Sequence, residues 1–402
     1  MTDWTEIRIQ TPEKTAQRYV FTLGITVPGK GPVQSKIGIK ETNFDIPHHV
    51  FWDSFLPLMF LSRNGGPLFN KPVPRGRIRA DFPLEAGVAR FFIQRARQMG
   101  VEMEIDSPLV DRVHDDAPTG GDVLLFGGGK DSRLLLGTLR EVGLSPRVIS
   151  ARGTLYATDI PGCLCFETLN FSMPNRIVPA LMLRPQNLYY GGGFPEVHLH
   201  HPWQQHYDIS AYAALRATSD LLKSAGFDIT LHAPQNVLPH NLTQRILADR
   251  YPDLHAGQIS VEPHQASDKN LHVSLLRRYH GLPTGHHCNP ELFGQMLEGF
   301  MTHALSDAPQ FGFQNNREAV EREMRSIIFR LHSQGRISLP AGLAPPADWD
   351  APWIDFIHPH GNPDTASRLM EIYRCHADDW PAEAPGLPAC LQPYITGEAL
   401  PG

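Results

Sequence analysis

The segment that most constrains the fold of this chain is residues 121–142, which read GDVLLFGGGKDSRLLLGTLREV. Four apolar residues at 123–126 predict a buried strand, and the three glycines that follow remove every side chain from the next turn. The leucine-rich stretch after them has helical spacing, and Asp131 or Ser132 is the expected N-cap. A strand, a bare turn and a helix N-terminus bring backbone N–H groups and the positive end of a helix dipole to one point. The sequence therefore predicts an anion site, most naturally for phosphates.

Three phosphate-loop patterns compete for this segment, and spacing separates them. The Walker pattern fails because Leu124 occupies its first glycine position and Asp131 follows the lysine. The dinucleotide pattern G-x-G-x-x-G fails at Ser132, where close helix packing favours glycine or alanine. The third pattern is Ser-Gly-Gly-x-Asp-Ser directly after a strand, and residues 128–132 match it in register.

This loop resembles the pyrophosphate loop (PP-loop) of the N-type ATP pyrophosphatase superfamily, whose members cleave ATP to AMP and pyrophosphate. Gly127 stands where most members have serine, which removes one hydroxyl donor but leaves the backbone cradle. The resemblance implies an α/β fold with a parallel sheet of the HUP (adenine-nucleotide-alpha-hydrolase) type. It also implies ATP as cofactor, with Mg²⁺ because nucleotide phosphates require it. The loop residues expected to bind the nucleotide are Gly127, Gly128, Gly129, Lys130, Asp131 and Ser132.

The chemistry of each loop side chain suggests a role. Lys130 would neutralise charge that builds on the leaving group, and Ser132 would donate from the helix N-terminus. Asp131 could orient Lys130, cap the helix or help to hold Mg²⁺. The alternative interpretation is a tight strand-to-helix turn with a surface lysine and an ordinary cap.

Two further strand ends are expected at the same site. Residues 188–190 predict a strand that ends in a second glycine turn at 191–193, where Gly192 is a candidate for binding the nucleotide. This turn would place residues 194–201 over the carboxyl edge of the sheet, where α/β proteins bind ligands. Residues 147–151 predict the strand beside the first one. By the resemblance, the end of that strand contacts adenine through its backbone, at Ala151 and Arg152.

The pattern along the chain predicts three units. Residues 1–115 form an N-terminal α+β accessory domain, 116–255 a PP-loop ATP-binding α/β domain, and 256–402 a mainly helical region that completes the substrate site. Alternation within residues 1–45 predicts an antiparallel β unit. Helices are predicted at 48–61, 84–99, 177–183, 203–225, 241–251, 271–279, 291–304, 317–331 and 365–375.

Histidines and cysteines offer a second kind of site. Four histidines, at positions 198, 200, 201 and 206, fall within nine residues and could bind a metal or serve as ordinary loop or substrate-contacting residues. The C-x-x-C spacing typical of zinc sites is lacking. A weaker resemblance, to the epimerase family that acts on UDP-N-acetylmuramoyl-L-alanyl-L-glutamate, adds the pair Cys288 and Asn289 and the histidine-containing turn near 200–210.

The epimerase resemblance implies a specific mechanism and substrate. Adenylating the terminal L-Glu carboxylate of this nucleotide-linked peptide, a peptidoglycan precursor, makes the neighbouring Cα–H more acidic, so a modest base can abstract the proton. Cys288, His287 or His201 could be that base. Each has a plainer interpretation, as an inert buried thiol or a hydrogen-bonded loop histidine.

Two other functions stay open. In an amide-forming or thiolating PP-loop ligase, including enzymes that modify tRNA or bases, an amine or sulfur nucleophile attacks the adenylated carbonyl. A tRNA substrate should bring a basic domain and sulfur transfer a catalytic cysteine pair, and the sequence shows neither clearly. A non-catalytic sensor would hold ATP or AMP without turnover.

Composition limits the partners and the compartment. The 402 residues carry a net charge of −6, which gives no support for a nucleic-acid surface. The longest apolar run cannot span a bilayer and the start lacks a secretory signal, so we expect a cytoplasmic protein with no membrane partner. Five cysteines do not suggest a disulfide framework. Whether residues 1–115 bind substrate or a second copy in a homo-oligomer is left open.

Overall fold

The computed structural model describes residues 4–46, 50–61, 75–98, 101–111, 121–151, 160–169, 177–191, 222, 229–232, 240–258, 266–284, 288–302 and 317–344. Outside these ranges lie the predicted helix at 365–375, all of the predicted helix at 203–225 except residue 222, the histidine cluster at 198–206, and the site residues Arg152, Gly192, His201 and His287.

The described residues form thirteen strands and nine helices. The strands are β1 (Thr5–Ile9), β2 (Glu13–Thr15), β3 (Arg18–Thr26), β4 (Val33–Thr42), β5 (Arg75–Ala80), β6 (Leu84–Glu85), β7 (Glu102–Ile105), β8 (Leu109–Val110), β9 (Asp122–Leu125), β10 (Arg147–Ala151), β11 (Leu164–Leu169), β12 (Asn187–Tyr190) and β13 (Thr230–His232). The helices are α1 (Val50–Leu61), α2 (Ala86–Gln98), α3 (Lys130–Glu141), α4 (Ile177–Met182), α5 (His240–Arg250), α6 (Pro252–Ala256), α7 (Asp268–Tyr279), α8 (Pro290–Thr302) and α9 (Arg317–Ser333).

One mixed, mostly parallel sheet runs through the described structure, in the order β13-β12-β9-β10-β11-β4-β3-β1-β5-β7, with β2 paired to β3. Strands β13 to β11 are parallel to one another, and β4, β3 and β1 pair antiparallel. The two parts join where β11 pairs antiparallel with β4, with Phe166 opposite Thr42. The strands of the predicted accessory domain and of the predicted PP-loop domain thus belong to one sheet, which crosses the predicted boundary at residue 115.

Helices lie on both faces of the sheet. Phe55 of α1, Phe92 of α2 and Leu181 of α4 share one core with the apolar face of the sheet. On the opposite face, Leu135 of α3 packs in a second core with Leu124 of β9, among other residues. Helices α7, α8 and α9 pack around a core of their own. The coarse prediction of an α/β protein with a largely parallel sheet is therefore confirmed.

Most element predictions are confirmed within a few residues, and a few are wrong. Strand β10 spans the predicted residues, and α4, α5, α7, α8 and α9 lie close to their predicted ranges. The helix expected from residue 84 begins at Ala86, because residues 84–85 form β6 and pair with β8. Strand β11 was not predicted. Among the described residues, no helix combines the length and apolarity that a membrane span requires.

Candidate functional site

The glycine loop follows β9, the parallel strand at which the order of the strands in the sheet reverses. Counted along the chain from β9, the order β11-β10-β9-β12-β13 is 3-2-1-4-5, so β10 pairs on one side of β9 and β12 on the other. The strand order thus reverses at β9. Doubly wound sheets bind their ligands outside the carboxyl ends of the strands at such a switch point.

The glycines of the loop allow its backbone conformation and also leave its backbone N–H groups accessible to a ligand. Gly128 has a φ of 73°, in the left-handed region that favours glycine, and it is buried. Gly129 is the N-cap of α3, with φ −76° and ψ 175°. Gly127 is exposed, and a Cβ built on it meets no atom within 4 Å. A serine at position 127 would therefore fit.

The predicted N-cap is wrong. Neither Asp131 nor Ser132 caps α3, because the helix begins at Lys130 and its first intrahelical bond runs from Arg133 N to Gly129 O, at 3.1 Å. Both expected caps lie inside the first turn. The hydroxyl of Ser132 donates to Gly129 O, at 3.2 Å. A glycine N-cap leaves the first-turn N–H groups without a capping side chain, and such groups are ready donors to an anion.

Lys130 and Asp131 form an ion pair at the start of α3. Lys130 Nζ donates to Asp131 Oδ1 at 2.8 Å, and their side chains are only 12% and 25% exposed. This is one of the roles expected for Asp131. The pair places a cation, held by its neighbour, beside the first turn of the helix.

Arg133 is a residue of the loop that sequence reasoning missed. It is completely buried, its Nε donates to Gly128 O at 2.8 Å, and its Nη1 donates to Leu254 O at 3.2 Å. Its guanidinium lies over the ring of Phe126, 5.4 Å from the ring centre. The side chain thereby fixes the carbonyl of the left-handed glycine and ties the loop to α6. Helical periodicity gave no sign of this burial, because Arg133 directly precedes the apolar run Leu134–Leu136 and lies off the stripe of Leu135 and Leu139.

Two other strand ends lie beside the loop. Phe126 N donates to Ile149 O at 2.8 Å, so Ala151, two residues further along β10, lies at the same sheet edge as the glycines. Gly191 follows β12, and a Cβ on it would be 2.8 Å from both N and Cα of Ser132. Ala151 and Gly191 therefore lie near the glycine loop, whereas Arg152 and Gly192 lie outside the described residues.

Cys288 lies elsewhere. It is buried in the core of α7, α8 and α9, with Leu275 and Phe293 among the other core members, and not in the core beneath the glycine loop. Its Sγ donates to Asn289 O at 3.3 Å. Burial raises the pKa of the Cys288 thiol, although Ser274 and the charge of Arg278 oppose this change. A buried, protonated thiol in an apolar core is typical of a cysteine that serves only in packing.

The acidic, histidine and cysteine side chains of the described ranges form no group of three or more that could hold a metal ion.

Comparison of the chain with protein-family models, with curated proteins and with solved structures found no match.

Proposed function

We propose that the chain is an ATP-dependent enzyme of the PP-loop class, which cleaves ATP to AMP and pyrophosphate and so adenylates a small-molecule carboxylate or carbonyl. One observation carries the proposal: the Gly-Gly-Gly-Lys-Asp-Ser sequence connects β9, the first strand in a 3-2-1-4-5 order, to the N-terminus of α3. Doubly wound sheets bind nucleotide phosphates at this place. The strand order also supports a sheet of the HUP type.

In the proposed reaction the chain first binds the phosphates. The N–H groups of the glycines and of the first turn of α3 hold the pyrophosphate portion. A substrate oxygen bonds to the α-phosphorus as the bond to the β-phosphate breaks, and Lys130 neutralises the negative charge that develops on the departing pyrophosphate. Asp131 keeps the lysine in place through the 2.8 Å ion pair. Ser132 exchanges its bond to Gly129 O for one to a phosphate oxygen. The end of β10 at Ala151 borders the space for adenine.

Mg²⁺ fits this donor set as an ion that arrives with the nucleotide. In nucleotide sites Mg²⁺ takes one or two carboxylates together with phosphate oxygens, and it keeps several waters. Asp131 offers one carboxylate, and the described chain adds no larger cluster of acidic residues. When bound, the ion would neutralise charge on the phosphates.

The substrate is a separate question from the nucleotide chemistry. Epimerisation of the terminal L-Glu of UDP-MurNAc-L-Ala-L-Glu stays a prediction that rests on the resemblance, with Cys288 and His201 as its expected bases. The buried, protonated thiol of Cys288 gives that role no support. An amide-forming or thiolating ligase would use the same loop. A sensor that holds ATP or AMP without turnover is the second candidate. It is favoured by Gly127, because the space around this residue would admit a serine but its hydroxyl donor is missing.

The decisive experiment resolves the nucleotide products. Purified protein is incubated with Mg²⁺ and ATP labelled at the α and γ phosphates, alone and with metabolite pools that include muramyl peptides. We expect AMP and pyrophosphate with an active pool, and their loss in Lys130→Ala. The matched control is Lys40→Ala, which removes an exposed lysine of β4 that pairs with Glu167 at 2.9 Å.

The outcomes separate the candidates. ADP and phosphate would indicate a kinase-like protein, and binding of ATP without cleavage would indicate the sensor. If AMP forms, exchange of the Cα hydrogen of the substrate with deuterium from solvent distinguishes the epimerase from a ligase, which joins two substrates instead.

A further inference from the structure

Within the described part of the chain, the outer edge of β7 is an open sheet edge. Strand β7 ends the path of the sheet and pairs only with β5 among the strands of the described ranges. Asp106 N donates to Ile78 O of β5, at 2.8 Å. Successive residues of a strand direct their backbone groups to opposite sides, so the backbone N–H and C=O groups of Glu104 and Glu102 also point towards β5. The N–H and C=O groups of Met103 and Ile105 therefore face outward, as a template for another strand.

The side chains along this edge alternate in character between the two faces. On one face Glu102, Glu104 and Asp106 form an acidic row, with side chains 57%, 52% and 57% exposed. On the other face Met103 is buried and Ile105 is half-buried. A groove along this edge is lined by residues of both faces, namely Arg77, Ile93, Met103, Glu104, Ile105 and Asp106.

Strand β5, which pairs with the inner edge of β7, shows which sequence pattern this strand pairs with. Strand β5 reads RGRIRA, and its arginines pair with the acidic row: Arg75 with Glu102 at 2.8 Å, Arg77 with Glu104 at 3.0 Å, and Arg79 with Asp106 at 2.8 Å. An ionised carboxylate has about four acceptor sites, so the acidic row can accept further donors from a strand on its other side.

The same acidic row disfavours a second copy of the chain as the occupant. In a symmetric antiparallel pairing of two β7 strands that keeps their acidic faces together, Glu104 of one copy would face acidic residues of the other. Like charges directly opposite each other destabilise a strand pair. Alternating basic residues at these positions would stabilise it.

We propose that the outer edge of β7 binds an extended segment of another protein, in which basic and apolar residues alternate, as one more strand of the sheet. Backbone hydrogen bonds to Met103 and Ile105 supply the pairing, the acidic row selects basic residues on one face, and the groove beside Ile93 and Ile105 accepts apolar residues on the other. This binding surface does not depend on the proposed ATP chemistry.

The test uses the full chain and a dye-labelled peptide that copies residues 75–80, RGRIRA, with EGEIEA as its charge-reversed counterpart. We expect fluorescence anisotropy at low ionic strength to detect binding of the basic peptide only. The neutral triple variant Glu102→Gln, Glu104→Gln, Asp106→Asn should weaken binding about tenfold, from three exposed ion pairs. Glu13→Gln is the control. Glu13 lies on β2, away from this edge, and pairs with Arg18 of β3 and Lys36 of β4.

A backbone variant tests the pairing itself. Ile105→Pro removes one outward N–H without touching the bonds to β5, and edge strands tolerate proline. We expect it to abolish binding, while Ile105→Val keeps it. Hydrogen exchange in the unaltered protein gives an independent readout, because the amides of Met103 and Ile105 should gain protection when the basic peptide is added.

Three results would overturn the proposal: equal binding of both peptides, no binding at millimolar peptide, or exchange at Met103 and Ile105 that the peptide leaves unchanged. Analytical ultracentrifugation adds a fourth. A dimer that Ile105→Pro dissociates would make a second copy of the chain the occupant.

Discussion

Gly191 lies directly against Ser132, where the end of β12 meets the first turn of α3. A Cβ on Gly191 would be 2.8 Å from N and Cα of Ser132 and 3.0 Å from the carbonyl carbon of Asp131. These are backbone atoms at the start of a helix, so they cannot move aside as the end of a side chain could. The absence of a side chain at Gly191 therefore lets β12 end directly against the helix N-terminus to which the phosphates of the proposed nucleotide would bind.

Gly191→Ala should for this reason damage both stability and the site. Overpacking of this kind destabilises proteins by about 1–3 kcal/mol. We expect a lower melting temperature and a smaller increase of that temperature on addition of ATP and Mg²⁺. Gly127→Ala serves as the stability control, because open space surrounds that glycine. Equal melting temperatures for the two variants would contradict the close approach.

Arg133→Met should destabilise the protein strongly. The substitution leaves the carbonyls of Gly128 and Leu254 without the donors that now lie at 2.8 Å and 3.2 Å. Two lost charge-assisted hydrogen bonds, one to buried Gly128 and one to half-buried Leu254, correspond to about 3 kcal/mol of unfolding free energy. Urea denaturation measures the loss, and Arg140→Met, on the exposed side of the same helix, should change little. Similar values for both variants would show that the buried arginine does not hold the loop.

Local patterns were sufficient to predict the strand, loop and helix of the site, because an apolar run, a set of glycines and a leucine repeat each have a strong local cause. The N-cap was missed because glycine provides no capping side chain to recognise. The burial of Arg133 was missed because its partners are backbone carbonyls, one of them on α6, far along the chain. Pairing of β11 with β4 also depends on contacts distant in sequence.

Cys288 should react slowly with alkylating agents in the folded protein. Burial raises the pKa of its thiol, so the reactive thiolate is scarce at pH 8. We expect iodoacetamide to label Cys163 and Cys165, which are half-buried, well before Cys288, as followed by site-resolved mass spectrometry. In urea the three rates should become similar. Rapid labelling of Cys288 in the native state would instead support its assignment as a catalytic base.

Tyr19 should make the protein sensitive to alkali. Its buried hydroxyl donates to Asp53, which also pairs with Lys14, and burial followed by the charge of Asp53 raises the pKa of Tyr19 far above its ordinary value. The unfolded chain loses this proton near pH 10, whereas the folded protein retains it. The stability that depends on the protonated hydroxyl is therefore complete below about pH 10 and is lost as the pH rises further. For one proton the slope is about 1.4 kcal/mol per pH unit.

Tyr19→Phe isolates this titration. The variant loses a hydrogen bond at every pH, which lowers the whole stability curve, but it cannot release a proton. Between pH 9 and 11 we expect its unfolding free energy in urea to fall less steeply than that of the unaltered protein, with a slope difference of about half a proton at pH 10 that approaches one proton by pH 11. Asp53→Asn should lie between the two, since it removes the charge and keeps the burial. Parallel curves for the unaltered protein and Tyr19→Phe would mean that the Tyr19 hydroxyl ionises as readily in the folded protein as in the unfolded chain.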